Sequence, residues 1–312
     1  MEIIKSLEPV LEQSIHVHIN LDKVRDFAAN FGGKKCEHWT QYSPLASMHL
    51  DHHQKAAFLF VFNAISFSYW GNQKWTIEND GHTYSRGTWS MIAAIQRAIR
   101  EDISILDSAY LANIGVAELG YILRGNVEIP LLKERAAILQ EVGSIVAQKY
   151  SGDFFQVITK SKRDSAPELV DRIVGEFNSF DDSAQYAGEN VYFHKRAQLL
   201  VSDLNYSLRL GLRDTHRLTA CADYILPLVL RHYGILGYGP NPAFKIDHGV
   251  EIPKNSEEEI EIRAGTIMAV ENIKNTLQQP HLTSMQLNDY LWIAGDTIPQ
   301  KEFYHLTRTT AY

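Results

Sequence analysis

From Tyr192 to Pro227 the chain reads Y-F-H-K-R-A-Q-L-L-V-S-D-L-N-Y, a short basic loop, then L-T-A-C-A-D-Y-I-L-P. Both pieces carry apolar residues at helical spacing, and two helices written this way bury nearly every position they have. Each nevertheless holds one ionisable group where packing does not ask for one: Lys195 in the first, Asp223 in the second. An unpaired buried charge costs several kcal/mol, on the order of a domain's whole stability. Asp223 therefore requires compensation, and buried carboxylates kept at such a cost cluster at functional sites. It stands four residues before Pro227, so its carbonyl loses the usual helical donor and the turn opens there. Two readings follow: a carboxylate aimed into a pocket, or a helix-interior Asp capping a neighbouring segment. Lys195, Gln198 and Ser202 form a polar stripe on an otherwise apolar cylinder, which is a solvated face or part of a site.

The rest of the chain supplies the surroundings such a pair needs. Apolar spacing of three and four predicts helices over Ile3–Gln13 and Leu21–Asn30, the second started by Asn20 and stopped by Gly32-Gly33. The run from Ala56 to Trp70 is apolar nearly all round and reads as a helix buried on most sides. E-N-D-G inside Trp75–Tyr84 predicts a small hairpin. Helical patterns then cover Thr88–Arg100, Ala109–Leu123, Pro130–Tyr150 and Pro167–Phe177. Ser256 with Glu259 three positions on reads as a capping box with an acidic first turn, the acids forming cap and solvated face. A last helix runs through M-Q-L-N-D-Y-L-W-I-A. Strand signals are few, so the class is mainly α, and with no linker or charge block the 312 residues read as a single compact helical domain with a small β-hairpin.

Composition removes several functions. A net charge of −7 argues against a polyanionic partner such as DNA or tRNA. Cys36 and Cys221, far apart, suggest neither a disulfide framework nor a cysteine zinc site, and Cys221 reads most simply as a small buried hydrophobe. The amphipathic, acidic start is no signal peptide, and no apolar run approaches the ~18 residues that span a membrane, so a cytoplasmic protein is expected. His49, His52 and His53 have helical ligand spacing but no partner at a recognisable distance in the sequence, and H-E-x-x-H is absent, so no metal is expected. Phe67, Tyr69 and Trp70 read as core or as a surface for stacking a base. P-loop, G-x-G-x-x-G and G-x-S-x-G patterns are absent, which disfavours NTPases, dinucleotide enzymes and α/β hydrolases.

Six segments in series resemble the queuosine salvage protein family: F-N-A-I-S-F-S-Y-W at 62–70, Y-F-H-K-R-A-Q-L-L-V-S-D at 192–203, T-A-C-A-D-Y-I-L-P at 219–227, S-E-E-E-I-E-I-R-A at 256–264, L-N-D-Y-L-W at 287–292, and the closing H-L-T-R-T-T-A-Y. The resemblance implies a helical fold akin to DNA glycosylases, no cofactor, a small-molecule nucleotide as partner, and release of the base queuine from queuosine 5′-monophosphate. It places the family's catalytic Asp at Asp223 and its active-site Lys at Lys195. A base-contacting His corresponds to His49, and the base-recognising positions include Cys221, Asn288 and Asp289. The chain departs from the family's pattern at Cys221, where an aromatic is usual, at Asn288 in place of Asp, at Asp289 where an aromatic is common, and at Leu228 in place of Gln. A glycosylase for another modified nucleotide and a non-catalytic nucleotide-binding protein are the alternatives.

Overall fold

The computed structural model describes residues 2–160, 164–299 and 302–312. Helices α1 (Ile3–Gln13) and α2 (Leu21–Phe31) form where apolar spacing places them. Asn20 caps α2 by accepting from Asp22 N and Lys23 N, and Gly32 ends it in the left-handed region at φ 60°. The expected hairpin pairs β2 (Ile77–Asn79) with β3 (His82–Tyr84) across Asp80-Gly81, both at positive φ. Helices α4 (Gly87–Arg100), α7 (Leu132–Lys149), α9 (Ala166–Glu176), α13 (Glu257–Leu277) and α14 (Ser284–Ala294) all lie where their patterns put them. The protein is mainly α, and among the described residues its sheets are two-stranded.

Four expectations need correction. The buried helix α3 covers His52–Ala64, begun by an Asp51/Gln54 capping box, and stops six residues before Trp70. Two buried arginines explain the stop. Arg196 donates to the carbonyls of Asn63 and Ala64 at the helix end, and Arg135 donates to those of Ile65, Phe67 and Ser68 beyond it. The carbonyls thus find donors without a helix, and 65–70 runs on as non-helical chain. Ala109–Leu123 divides into α5 (Ser108–Leu111) and α6 (Val116–Ile122), with the carbonyl of Ile114 between them taken by Gln140 at 2.6 Å.

The third correction concerns the organising pair. Its first helix, α10, covers Lys195–Leu208 and is preceded by a hairpin of β4 (Ser183–Tyr186) and β5 (Glu189–Tyr192). The second, α11 (Ile225–His232), begins only after Asp223, and residues 218–224 are not helical. Leu218 and Cys221 enter the core around α3 and α10, Ala220 the core around α11 and α13, and Ala222 a third under α1. Side chains of other helices satisfy the freed backbone: Gln198 Oε1 accepts from Thr219 N at 2.8 Å, Asn288 Oδ1 from Cys221 N at 2.8 Å, and Arg263 Nε donates to Ala222 O at 3.3 Å.

Fourth, of the acids at the start of α13 only Glu257 is solvated. Ser256 caps as expected, but the box is not completed, because the Glu259 carboxylate accepts from Asn255 N instead of Ser256 N and from the Tyr312 hydroxyl, and Glu258, Glu259 and Glu261 are all buried. Glu261 binds His16 N at 2.7 Å and Val17 N at 3.0 Å, fixing the short strand β1 (Val17–Ile19) against β6 (Leu236–Tyr238).

Arg263, on the same helix, makes a two-pronged buried ion pair with Asp182, Nη1 to Oδ1 at 2.8 Å and Nη2 to Oδ2 at 2.6 Å. The Asp182 Oδ2 also accepts from the backbone N–H of Lys195 at 3.1 Å, so the pair sets the first residue of α10. Burial raises the Asp182 pKa, but Arg263 outweighs it and the carboxyl sits below its usual range. Arg263→Met leaves that carboxylate buried without its cation and is expected to lose about 3–5 kcal/mol of stability in urea denaturation. Adding Asp182→Asn should recover part of the loss; a single variant as stable as the parent would refute the role given to the pair.

Candidate active site

A cavity of about 480 Å³ opens where these elements meet, inside the range usual for small-molecule sites. Lys195 comes from the first turn of α10, Cys221 and Asp223 from the non-helical segment, and Asn288 and Asp289 from α14. Phe67, Tyr69, Trp70 and Trp75 supply an aromatic wall, with Trp39 and Trp292 among the other lining residues. Phe67, Tyr69 and Trp70 are both core and cavity surface, so their two readings coincide. The non-helical path of 65–70 brings them there.

Asp223 is 8% exposed and lies just ahead of α11 rather than within a helix. Its Oδ1 accepts from Ile225 N at 2.8 Å and Leu226 N at 3.0 Å, using two of the amides that a helix start leaves without partners. Burial pushes its pKa up, and the positive charge of Lys195, those two amides and the more weakly acting Arg86 pull it back. The carboxylate is thus desolvated yet compensated, and its second oxygen takes no part in the capping. It therefore lines the cavity, and the helix it caps is the one that follows it; it does not sit inside a helix or cap a neighbouring segment.

Asp289 is 3% exposed and is held by Trp39 N at 3.3 Å and by the Asn288 amide at 3.1 Å; burial drives its pKa up to about 7. Asn288 spends its oxygen on Cys221 N and one N–H on Asp289, so its amide ties α14 to the segment carrying Asp223. Burial also pushes the Cys221 thiol up, leaving it protonated and far from nucleophilic. His49 is exposed ahead of α3 and does not line the cavity. His52 and His53 are exposed too, His53 meeting Asp153 at 3.0 Å. Among the described residues no group of three or more His, Cys, Asp and Glu stands where it could hold a metal ion.

Sequence reasoning did not single out the layer behind the cavity. The Trp39 indole donates to Asp203 Oδ1 at 2.8 Å and Asn63 donates to Oδ2 at 3.0 Å, while Asp203 itself is fully buried. Desolvation lifts its pKa to about 8. His38 stacks on Tyr206 at 4.1 Å and brings an unpartnered Nε2 to 3.6 Å from Asp203; burial lowers its pKa to about 4, so it is neutral at physiological pH. Trp39 therefore touches both acids, Asp289 through its backbone and Asp203 through its ring. The only sequence signal for this layer was an Asp in an otherwise apolar helix.

The queuosine salvage protein family model matches residues 46–312. A Sphaerobacter thermophilus protein named queuosine 5′-phosphate N-glycosylase/hydrolase is 38% identical over 99% of this chain and 97% of its own length. Proteins of the same name from Bos taurus and Dictyostelium discoideum are 34% and 31% identical, covering 75% and 82% of this chain and 74% and 78% of their own lengths.

The raised pKa of Asp203 has a consequence for stability. Between about pH 4 and about pH 8 the folded state holds a proton there that the unfolded chain releases, so Asp203 destabilises the fold progressively as pH rises through that window. Asp203→Asn removes the titration whatever constant cost its amide carries. The melting temperature of the variant relative to the parent should therefore rise from pH 5 to pH 9; a flat or falling difference would show Asp203 ionised throughout.

Proposed function

The chain belongs to the queuosine salvage protein family, and from that premise we propose that it is an N-glycosylase that hydrolyses queuosine 5′-phosphate and releases queuine. The observation that carries the reading is the meeting of Asp223, Lys195 and Asp289, from three separate elements, in one aromatic-walled cavity. Breaking an N-glycosidic bond places positive charge on the anomeric carbon and ring oxygen of the ribose. A carboxylate in a low-dielectric site stabilises that charge, electrostatically or by bonding to the anomeric carbon, as in O-glycosidases. Asp223 takes this part, and water then adds to the sugar to complete hydrolysis. Burial leaves the Asp223 pKa raised, and Lys195 is the strongest of the groups that favour its ionised form against that burial.

The leaving base sets the second requirement. A 7-deazaguanine has no N7 to protonate, so the pocket must stabilise its departure at the edges that remain. Asp289, with a pKa of about 7, is the acid suited to this at neutral pH. Protonated, it donates to the base; ionised, it pairs with the cationic side arm of queuine. Asn288 positions Asp289 and the backbone next to Asp223, and the aromatic wall receives the base faces. His49, exposed and outside the cavity, has no part in this scheme.

Two measurements test the assignment. Asp223→Asn retains an oxygen for the Ile225 and Leu226 amides, so the fold and nucleotide binding should persist while kcat falls by about 10³-fold or more. Turnover near the parent level in a folded variant would remove Asp223 from the chemistry. Lys195→Met takes away the charge that favours the carboxylate, so the Asp223 pKa rises and the acidic limb of kcat/KM moves to higher pH. A limb that stays in place would give Lys195 another task.

A further inference from the structure

Two more cations line the cavity, Lys74 and Arg86. Arg86 stands immediately before α4, its guanidinium 3.9 Å from the centre of the Trp292 ring and 5.1 Å from that of Trp89, with one N–H on Trp292 O at 3.4 Å. A guanidinium stacked against two indoles is already ordered, so little side-chain freedom remains to be lost when it binds an anion. Its carboxylate partner is Asp296, on the short turn after α14, with a side chain 54% exposed. That partner is a replaceable counter-ion, unlike the fully buried partner of Arg263.

The backbone beside Arg86 points the same way. No side chain caps α4 and no acid lies in its first turn, while Gly87 and Thr88 line the cavity. A Cβ at Gly87 would stand 2.3 Å from the Tyr69 ring, so only glycine lets the start of α4 approach the aromatic wall this closely. The positive end of the helix thus adds to the Arg86 charge at the same place. Both Lys195 and Arg86 favour ionised Asp223, and Lys195 acts the more strongly. One cation therefore acts chiefly on the acid, while the other acts on it more weakly and faces the same space.

Resting on the reading of the site as a nucleotide N-glycosylase, we propose that Arg86, with Lys74 and the first turn of α4, binds the 5′-phosphate monoester, which displaces Asp296 from the guanidinium. Arg86 then determines the preference for nucleotide over nucleoside, and Lys195 is left to serve Asp223. The bidentate fork suits a phosphate, and a dianion competes well with one half-exposed carboxylate.

The test is kcat/KM for release of queuine from queuosine 5′-monophosphate and from queuosine, in the parent, Arg86→Gln and Asp296→Asn. Arg86→Gln should lower the monophosphate-to-nucleoside ratio by about tenfold or more, mainly through KM, and Asp296→Asn should leave the ratio as high or raise it. Equal losses on the two substrates would assign Arg86 a packing role, and an unaltered ratio would place the phosphate elsewhere; either overturns the proposal. Calorimetric binding of queuosine 5′-monophosphate to Asp223→Asn, with and without Arg86→Gln, gives an answer independent of turnover: binding should weaken at least tenfold with the second change. If the parent releases base from neither substrate, the glycosylase reading fails, and this binding comparison still decides the case of Arg86.

Discussion

The buried ion pair between Arg263 and Asp182 holds both halves of the site. Asp182 accepts from the backbone of Lys195, and Arg263 donates to the carbonyl of Ala222, the residue before Asp223. One charge pair therefore sets the start of α10 and the position of the non-helical segment together. The Arg263 guanidinium also lies 3.9 Å from the centre of the Phe193 ring and 4.5 Å from that of Tyr312, and Tyr312 lines the cavity. Breaking such a pair is far costlier than never having it, because the partner left behind remains desolvated. The geometry between Lys195 and Asp223 is thus tied to the integrity of the fold rather than to the rotamers of two side chains.

Arginine recurs as the device by which this helical protein tolerates irregular backbone in its interior. Arg135 and Arg196 supply the donors that the carbonyls of 63–65 and 67–68 lack, much as Arg263, Gln198 and Asn288 serve 219–222. Buried peptide groups must find partners, and side chains from neighbouring helices provide them where a helix does not. Two non-helical stretches result, one presenting the aromatic wall and the other Asp223. The same dryness that makes these partners necessary lifts the pKa values of Asp289 and Asp203 to about 7 and about 8, so the cavity and the layer behind it hold acids that titrate near neutrality.

How far the sequence could be read depended on whether a signal was local. Asn20 with Gly32, Asp80-Gly81, Ser256 and the apolar spacing of α4, α7 and α14 each act within a few residues, and each reads correctly. The apolar runs at 56–70 and 218–227 read as helix throughout, because periodicity reports burial and cannot tell a buried helix from buried extended chain. What distinguishes them is arginine, glutamine and asparagine side chains far away in sequence. Glu259 and Glu261 misread for the same reason: an acidic first turn looks solvated until Arg263, Tyr312 and the backbone of 16–17 pack on it. His49 fitted a position before a buried helix but proved exposed, and His38, whose side chain is only 10% exposed, lay in a stretch without periodicity.

The sequence alone determined the helical class, the boundaries of α1, α2, α4, α7, α9 and α14 to within two residues, and the family, since capping, turn chemistry and ordered motifs are written in short segments. It also marked Asp223 and Lys195, because an ionisable group in an apolar run is conspicuous without any coordinates. Only the tertiary structure decided that Asp223 precedes a helix instead of lying in one, and that Arg86 and Trp39 share its cavity. Those facts depend on contacts between residues tens to hundreds of positions apart. No local pattern encodes such contacts, because the donors, charges and ring faces that make them come from elements with no common periodicity.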